Sequence, residues 1–122
     1  MTLVLLVIAG ELGALLRYEV ELNVRRRVGP RFPYGTLVIN VTGSFVLGVV
    51  AGLAAHDGVP TSVVTIIGTG LLGAYTTFST FSVDTVELVE HGRLRSAAAN
   101  LGASLVVGLG AAAGGLVVGH AL

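Results

Sequence analysis

The densest chemistry in this sequence lies in Thr76-Thr77-Phe78-Ser79-Thr80-Phe81-Ser82, where five hydroxyls and two phenyl rings occupy seven consecutive positions. A lone Ser or Thr in an apolar helix usually bonds the carbonyl four residues back and carries little meaning. Five together need another account. They serve either as hydrogen-bonding glue between helices, worth about 0.6–2 kcal/mol per bond, or as a polar path of neutral donors. Two other stretches favour the path: Thr36, Asn40 and Gly43 fall at i, i+4 and i+7, and Asn100, Ser104 and Gly108 repeat every four residues, so each set shares one helical face. Within a membrane, polar groups face partners or water-filled cavities, and three converging stripes describe a pore. Hydroxyl and amide N–H groups donate hydrogen bonds and a phenyl ring has a positive edge, so these residues suit a small anion held weakly enough to leave again. Oxygen lone pairs on the same groups would serve a cation, and residue types alone leave both ions open.

Other candidates carry less. Gly68-Thr69-Gly70-Leu71-Leu72-Gly73 spells G-x-G-x-x-G, with Glu87 and Glu90 further on. A dinucleotide fingerprint needs a βαβ unit around it, whereas this copy sits in a charge-free apolar stretch and reads as a weakened, breakable membrane helix. Glu11, an acid inside an apolar stretch, is a candidate functional group by default, against a protonated or vestibule-facing side chain without such a role. Arg17 reads as an interfacial arginine snorkelling to headgroups or pairing with Glu21 at i+4. His56, His91 and His120 lie at the ends of apolar stretches, where a solvated surface role outweighs metal binding. Cysteine is absent, which removes disulfides, thiol catalysis and Cys-ligated metal.

The elements that must position these residues follow from composition. The 122 residues are 53% hydrophobic and 11% charged, with mean hydropathy +0.89, well beyond soluble domains at about 25% charged. Seven arginines and seven acids balance, so no net basic field holds nucleic acid. A membrane helix needs about 20 apolar residues. Residues 35–55, 61–83 and 96–119 contain no charge at all, and 2–23 is apolar in its first half. The chain therefore reads as one all-α transmembrane domain, 1–122, with four spans at about 2–23, 35–55, 61–90 and 96–119, the first being the weakest by hydropathy. The apolar N-terminus is not read as a cleaved leader, because no basic residue precedes it and Glu11 and Arg17 stand where a leader would end. Short links predict that consecutive spans are antiparallel neighbours. As one helix, 61–90 would run about 45 Å, which overshoots a bilayer, so irregularity is expected at Gly68, Gly70 and Gly73. Three pairs, Gly48 with Gly52, Gly110 with Gly114 and Gly115 with Gly119, have the one-turn spacing that lets membrane helices approach closely.

Basic residues near short loops stay cytoplasmic. Arg25, Arg26, Arg27, Arg31, Arg93 and Arg95 all belong to the first and third loops, and none to the termini or second loop. Both termini are expected outside, in the cell membrane of a bacterium.

Three runs resemble signature segments of the Fluc (CrcB) fluoride channels: Gly13-Ala14-Leu15-Leu16-Arg17-Tyr18, Gly35-Thr36-Leu37-Val38-Ile39-Asn40-Val41-Thr42-Gly43-Ser44-Phe45, and Gly73-Ala74-Tyr75 running into the hydroxyl-rich heptad. The resemblance covers the whole chain. It implies a fluoride-selective channel giving passive export and protection from fluoride toxicity, without enzymatic chemistry. It also implies an antiparallel dimer with two pores and a structural sodium ion at its centre. By resemblance Phe78 and Phe81 give aromatic contacts to fluoride, Asn40, Ser79, Thr80 and Ser104 line its route, Arg17 faces its entrance, and Gly73 and Thr76 lend backbone carbonyls to sodium where the third helix breaks. Asp84 stands where the family commonly has Glu, and Ala9-Gly10 where Gly-Gly is usual.

The alternative is a proton-coupled exporter similar to the small multidrug transporters, with Glu11 as the exchanging carboxyl. Such a site would add large aromatics, and this chain has no Trp and three Tyr. Partnering is read from charge: a homodimer of opposed subunits needs one sequence to insert both ways, hence balanced loops. Six arginines against none predict one-way insertion and pairing with a paralogous subunit of opposite bias, with a dual-topology homodimer as the alternative.

Overall fold

The computed structural model describes residues 1–56 and 58–122, and among these every regular element is helical. Helix α1 covers Thr2–Val28, α2 Tyr34–Ala54, and α6 Leu94–Ala121. The third span is made of pieces: α3 Thr61–Val64, a π-helical segment Thr65–Leu72, α4 Gly73–Tyr75 and α5 Ser79–Glu90. Tyr34–Ala54, Thr61–Glu90 and Leu94–Ala121 are long and apolar enough to cross a membrane. Helix α1 is long enough but carries more charge, as its composition predicted.

The apolar interior is small. Ala9, Ile39, Leu72, Leu88 and Ala97 are the buried hydrophobic residues among those described, while residues such as Leu3, Leu15, Leu105, Val106 and Val117 stand more than half exposed. A chain in water would not leave so much apolar surface uncovered, and lipid is the solvent that accepts it.

Glycine decides how the helices meet. A Cβ on Gly48 would collide with the Ala112 carbonyl and one on Gly115 with that of Phe45. One on Gly119 would strike the Val49 carbonyl, and one on Gly52 would meet Leu116 and His120 backbone. Positions rise together on the two helices, so α2 and α6 run parallel, backbone against backbone. The same device joins α1 to the π-helical segment: Gly70 lies on Leu6 and Ala9, and a Cβ on Gly13 would enter the Leu71 carbonyl. The closest approaches thus link alternate, parallel spans. Consecutive spans also touch, for example where Gly35 meets Glu21. The expected pair Gly110 and Gly114 meets nothing among the described residues.

The irregularity in the third span includes two of the three expected glycines and extends beyond them. Gly68 and Gly70 lie in the π-helical turns, but the helix stops only at Thr76, whose ψ of 156° is extended. Gly73 is helical. The interruption belongs to residues 76–78, because the Asn40 amide and the Thr77 hydroxyl there replace the helical bonds that glycine merely weakens.

At the other end of the chain's course, Arg25, Arg26 and Arg27 form the last turn of α1 rather than a loop, where cations offset the negative end of the helix dipole. Gly29 (φ 76°) and Gly92 (φ 72°) make the two turns that need a left-handed residue.

Gly115→Ala places a methyl group against the Phe45 carbonyl, an overpacking that costs about 1–3 kcal/mol. The melting temperature of the detergent-purified protein should fall accordingly, whereas an unchanged melt would show that α2 and α6 are not in backbone contact.

Candidate functional site: an interrupted span and its polar lining

An interrupted helix leaves N–H and C=O groups without partners, and in lipid each must be satisfied within the protein. Asn40 does this for Thr77. Its Nδ2 donates to the Thr77 carbonyl at 2.8 Å, and its Oδ1 accepts the Thr77 N–H at 2.8 Å. The predicted stripe Thr36, Asn40 and Gly43 therefore faces the third span: Thr36, 3% exposed, donates to Asp84 Oδ2 at 2.8 Å, and Gly43 leaves space for the Thr76 methyl group. These groups lie against a partner helix, and only the second amide hydrogen of Asn40 remains for an ion.

Thr77 is the hub that the sequence reading did not single out, although it lies in the hydroxyl-rich run. It is buried, and its Oγ1 accepts the Thr80 N–H at 3.1 Å while donating to Thr80 Oγ1 at 3.1 Å. Ser79 Oγ lies 3.4 Å from the same hydroxyl. Because Thr77 donates to Thr80, the Thr80 hydroxyl hydrogen is directed elsewhere. Ser82 Oγ donates to the Phe78 carbonyl and Thr76 Oγ1 to the Leu72 carbonyl, both at 2.9 Å, so two of the five hydroxyls have the unremarkable backbone role.

The diverted bonds release two carbonyls. In a continuous helix Thr77 N–H would bond Gly73 and Thr80 N–H would bond Thr76. Here the first goes to Asn40 and the second to Thr77 Oγ1. Gly73 and Thr76, the two that the resemblance implies for sodium, are thus among the carbonyls left without their helical N–H around α4, and carbonyl oxygens are donors a hard cation takes.

On the far side of the break, α5 begins with the positive end of its helix dipole, where the Thr80 N–H is already capped by Thr77 Oγ1 and the Ser82 N–H by the Phe78 carbonyl. Phe78 is 80% exposed there, and its ring centre lies 5.9 Å from that of Phe81 at an interplanar angle of 45°. A cavity of about 300 Å³ adjoins the break, lined by Asn40, Ser44, Gly73, Thr76, Thr77 and Phe78. A second, of about 390 Å³, opens where the first and third loops meet, with Arg25, Arg31, Arg93 and His91 beside Glu21, Asp84 and Glu87. Thr36 and Asp84 line the second cavity and Asn40 the first, one helical turn apart on α2. Arg93 ties the two loops together by donating to the Arg31 carbonyl at 2.8 Å.

Helix α6 supplies the third stripe. Asn100, fully buried, donates through Nδ2 to Thr85 Oγ1 at 2.9 Å, and Thr85 donates onward to the Phe81 carbonyl at 2.8 Å. Asn100 Oδ1 and, one turn on, Ser104 Oγ are buried without a hydrogen-bond partner. An unmade bond of this kind costs about 1–3 kcal/mol, so two adjacent ones mark a place kept for something polar. Gly108 meets nothing among the described residues.

The first span contributes differently. Glu21 pairs with Arg25 at 3.5 Å and not with Arg17, which has no carboxylate partner among the described residues. Arg17 is half-buried, one turn beyond Gly13 and so at the level of the break, but it lines neither cavity. Glu11 is exposed on the side of α1 away from Ala9 and Gly13 and also lines neither. That placement separates it from any exchange site in the interior.

Apolar helices packed through glycine around a span broken at its hydroxyl-rich centre define a small multi-pass membrane protein with polar groups gathered at the break. Residues 4–116 match the family described as CrcB-like protein, Camphor Resistance (CrcB), and the chain belongs to that family. It is 44% identical over 119 residues to a fluoride-specific ion channel FluC of Nitrobacter winogradskyi, covering 96% of this chain and 94% of that one. It is 48% identical over 119 residues to a fluoride-specific ion channel FluC 1 of Streptomyces avermitilis, covering 97% and 96%. A fluoride-specific ion channel FluC 2 of Mycobacterium tuberculosis is 47% identical over 103 residues, covering 84% and 79%. Its family is one of ion channels, and the chain is not an enzyme.

Asn40→Leu would leave the Thr77 N–H and C=O unpartnered and should destabilise the protein by about 1–3 kcal/mol. Hydrogen exchange at the Thr77 amide should accelerate in that variant. Protection equal to wild type would remove Asn40 from its role as the clamp.

Proposed function

We propose that this protein is a fluoride-selective channel that lets the anion leave the cell passively and so protects it from fluoride toxicity. The observation that carries the reading is the break itself: α5 starts there with the positive end of its dipole, Phe78 is exposed beside Phe81, and the Ser79 and Thr80 hydroxyls gather around Thr77. The residue types left anion and cation open, and the direction of α5 favours the anion at this end. Relatives at 44–48% identity named as fluoride-specific ion channels support it. Fluoride enters from the arginine-lined cavity, passes Thr36 and the free amide hydrogen of Asn40, meets the two phenyl edges, and is received by the unpartnered Ser104 hydroxyl. Arg17, at the level of the break, adds positive potential.

A structural sodium ion is part of the proposal. The Gly73 and Thr76 carbonyls, freed by Asn40 and Thr77, fit a hard cation and would hold it together with the same carbonyls of a second subunit. Sodium would neutralise the negative end of the α3–α4 half-span, and Thr76 and Gly73 would orient their oxygens without themselves reacting.

The channel would be a dimer of opposed subunits in the bacterial inner membrane. Arg25, Arg31 and Arg93 gather at one end, and the loop bias puts that end in the cytoplasm and both termini outside. Such a chain would insert one way and pair with a paralogous subunit of opposite bias.

In liposomes, fluoride efflux should far exceed chloride efflux once the partner is supplied, and the chain alone should be nearly silent. Phe81→Ala and Ser104→Ala, each removing an ion contact worth about 1.4 kcal/mol, should slow fluoride about tenfold. Undiminished flux in both variants would take these groups off the route. Exchange of sodium for a bulky organic cation should lower the melting temperature, because a ligand of the folded state is lost. A reporter on Leu122 should read outside the cytoplasm, and a cytoplasmic or evenly split signal would count against one-way insertion.

A further inference from the structure

His56 and His120 are far apart in the chain, yet their ring centres stand 4.7 Å apart with planes tilted by 32°. We infer that they form a two-histidine site for a borderline-soft divalent cation such as Zn²⁺ or Ni²⁺, at the end of the bundle opposite the arginine-rich loops. Imidazole is a ligand of choice for these ions.

The spacing fits chelation. A metal about 2.1 Å from a ring nitrogen lies about 3.2 Å from the ring centre, so ligand angles of about 90–109° place two ring centres about 4.5–5.2 Å apart. The observed separation falls inside that interval. The backbones are also held in place. His120 follows Gly119, which seats on Val49, and Gly52, one turn before His56, seats on the Leu116 and Gly119 backbone. The two rings are therefore brought together by the close glycine packing of α6 on α2. Both residues are exposed, so an aqueous ion reaches them. Among the described residues no third His, Asp or Glu completes a cluster. The bound ion ties the C-terminal end of α6 to the chain just beyond α2. It is remote from the break and distinct from the proposed sodium ligands, so the site stands whether or not the chain conducts fluoride.

The test uses full-length protein in detergent, stripped with EDTA and titrated with ZnCl₂ and, separately, NiCl₂. One ion per chain should bind, His56→Ala and His120→Ala should each weaken binding at least about tenfold, and His91→Ala should not. Bound Zn²⁺ should raise the melting temperature of wild type and of neither weakened variant. In unmutated protein, Zn²⁺ should shield His56 and His120 from diethyl pyrocarbonate, read by mass spectrometry. Saturable binding that survives both substitutions, the absence of saturable binding, or equal modification with and without Zn²⁺ would reduce the pair to stacked surface rings and overturn the inference.

Discussion

Everything distinctive in this molecule depends on one amide. Asn40 takes the N–H and the C=O of Thr77 into two hydrogen bonds of 2.8 Å and so makes a helix break tolerable at membrane depth. With that exchange made, Thr77 can turn its hydroxyl to Thr80 and start α5 afresh. Both rearrangements remove hydrogens from carbonyls upstream. The break is therefore not a flaw patched by solvent. It is a set of side-chain bonds that substitute for backbone ones and leave a defined remainder of donors and acceptors.

That remainder is polarised. The half-span ending at Tyr75 finishes in carbonyl oxygens, and the half-span beginning at Ser79 starts in N–H groups, so opposite partial charges face one small region. A continuous helix would bury both. The two phenyl rings at the positive side add edges of the same sign without adding a full charge, and a full charge would bind an anion too firmly for rapid release. The cluster of Arg25, Arg31 and Arg93 does carry full charges, and it sits at a loop end open to water, where screening moderates them.

Much of this was legible in the residues. Charge-free stretches gave the spans, the arginine-bearing loops gave the asymmetry, and the T-T-F-S-T-F segment marked the centre. What could not be read was which polar group bonds which. Thr36 and Asn40 look like pore wall on a helical wheel, but Asp84 and Thr77 take them up from another span, and no periodicity within α2 encodes that. The glycines marked where the span is irregular, and Gly68 and Gly70 do lie in π-helical turns, but glycine signals only where a helix is weak, while an interruption needs groups that take over the backbone bonds, and those were Thr77 and Asn40. The meeting of His56 and His120 was likewise hidden, since it follows from the parallel packing of spans two and four. Gly48, Gly52, Gly115 and Gly119 had the right spacing, yet spacing alone did not separate them from Gly110 and Gly114, which face away from this chain's other helices.

The pairing of alternate spans has a consequence for biogenesis. Helix α1 seats its glycines on the π-helical segment and α2 seats its own on α6, so neither finds its closest neighbour in the span that leaves the ribosome next. The first two spans must reside in the lipid as loosely associated helices until the third and fourth emerge. The last 28-residue helix, Leu94–Ala121, then closes the bundle from the end of the chain, and losing even its final turns would strip α2 of the surface it was waiting for.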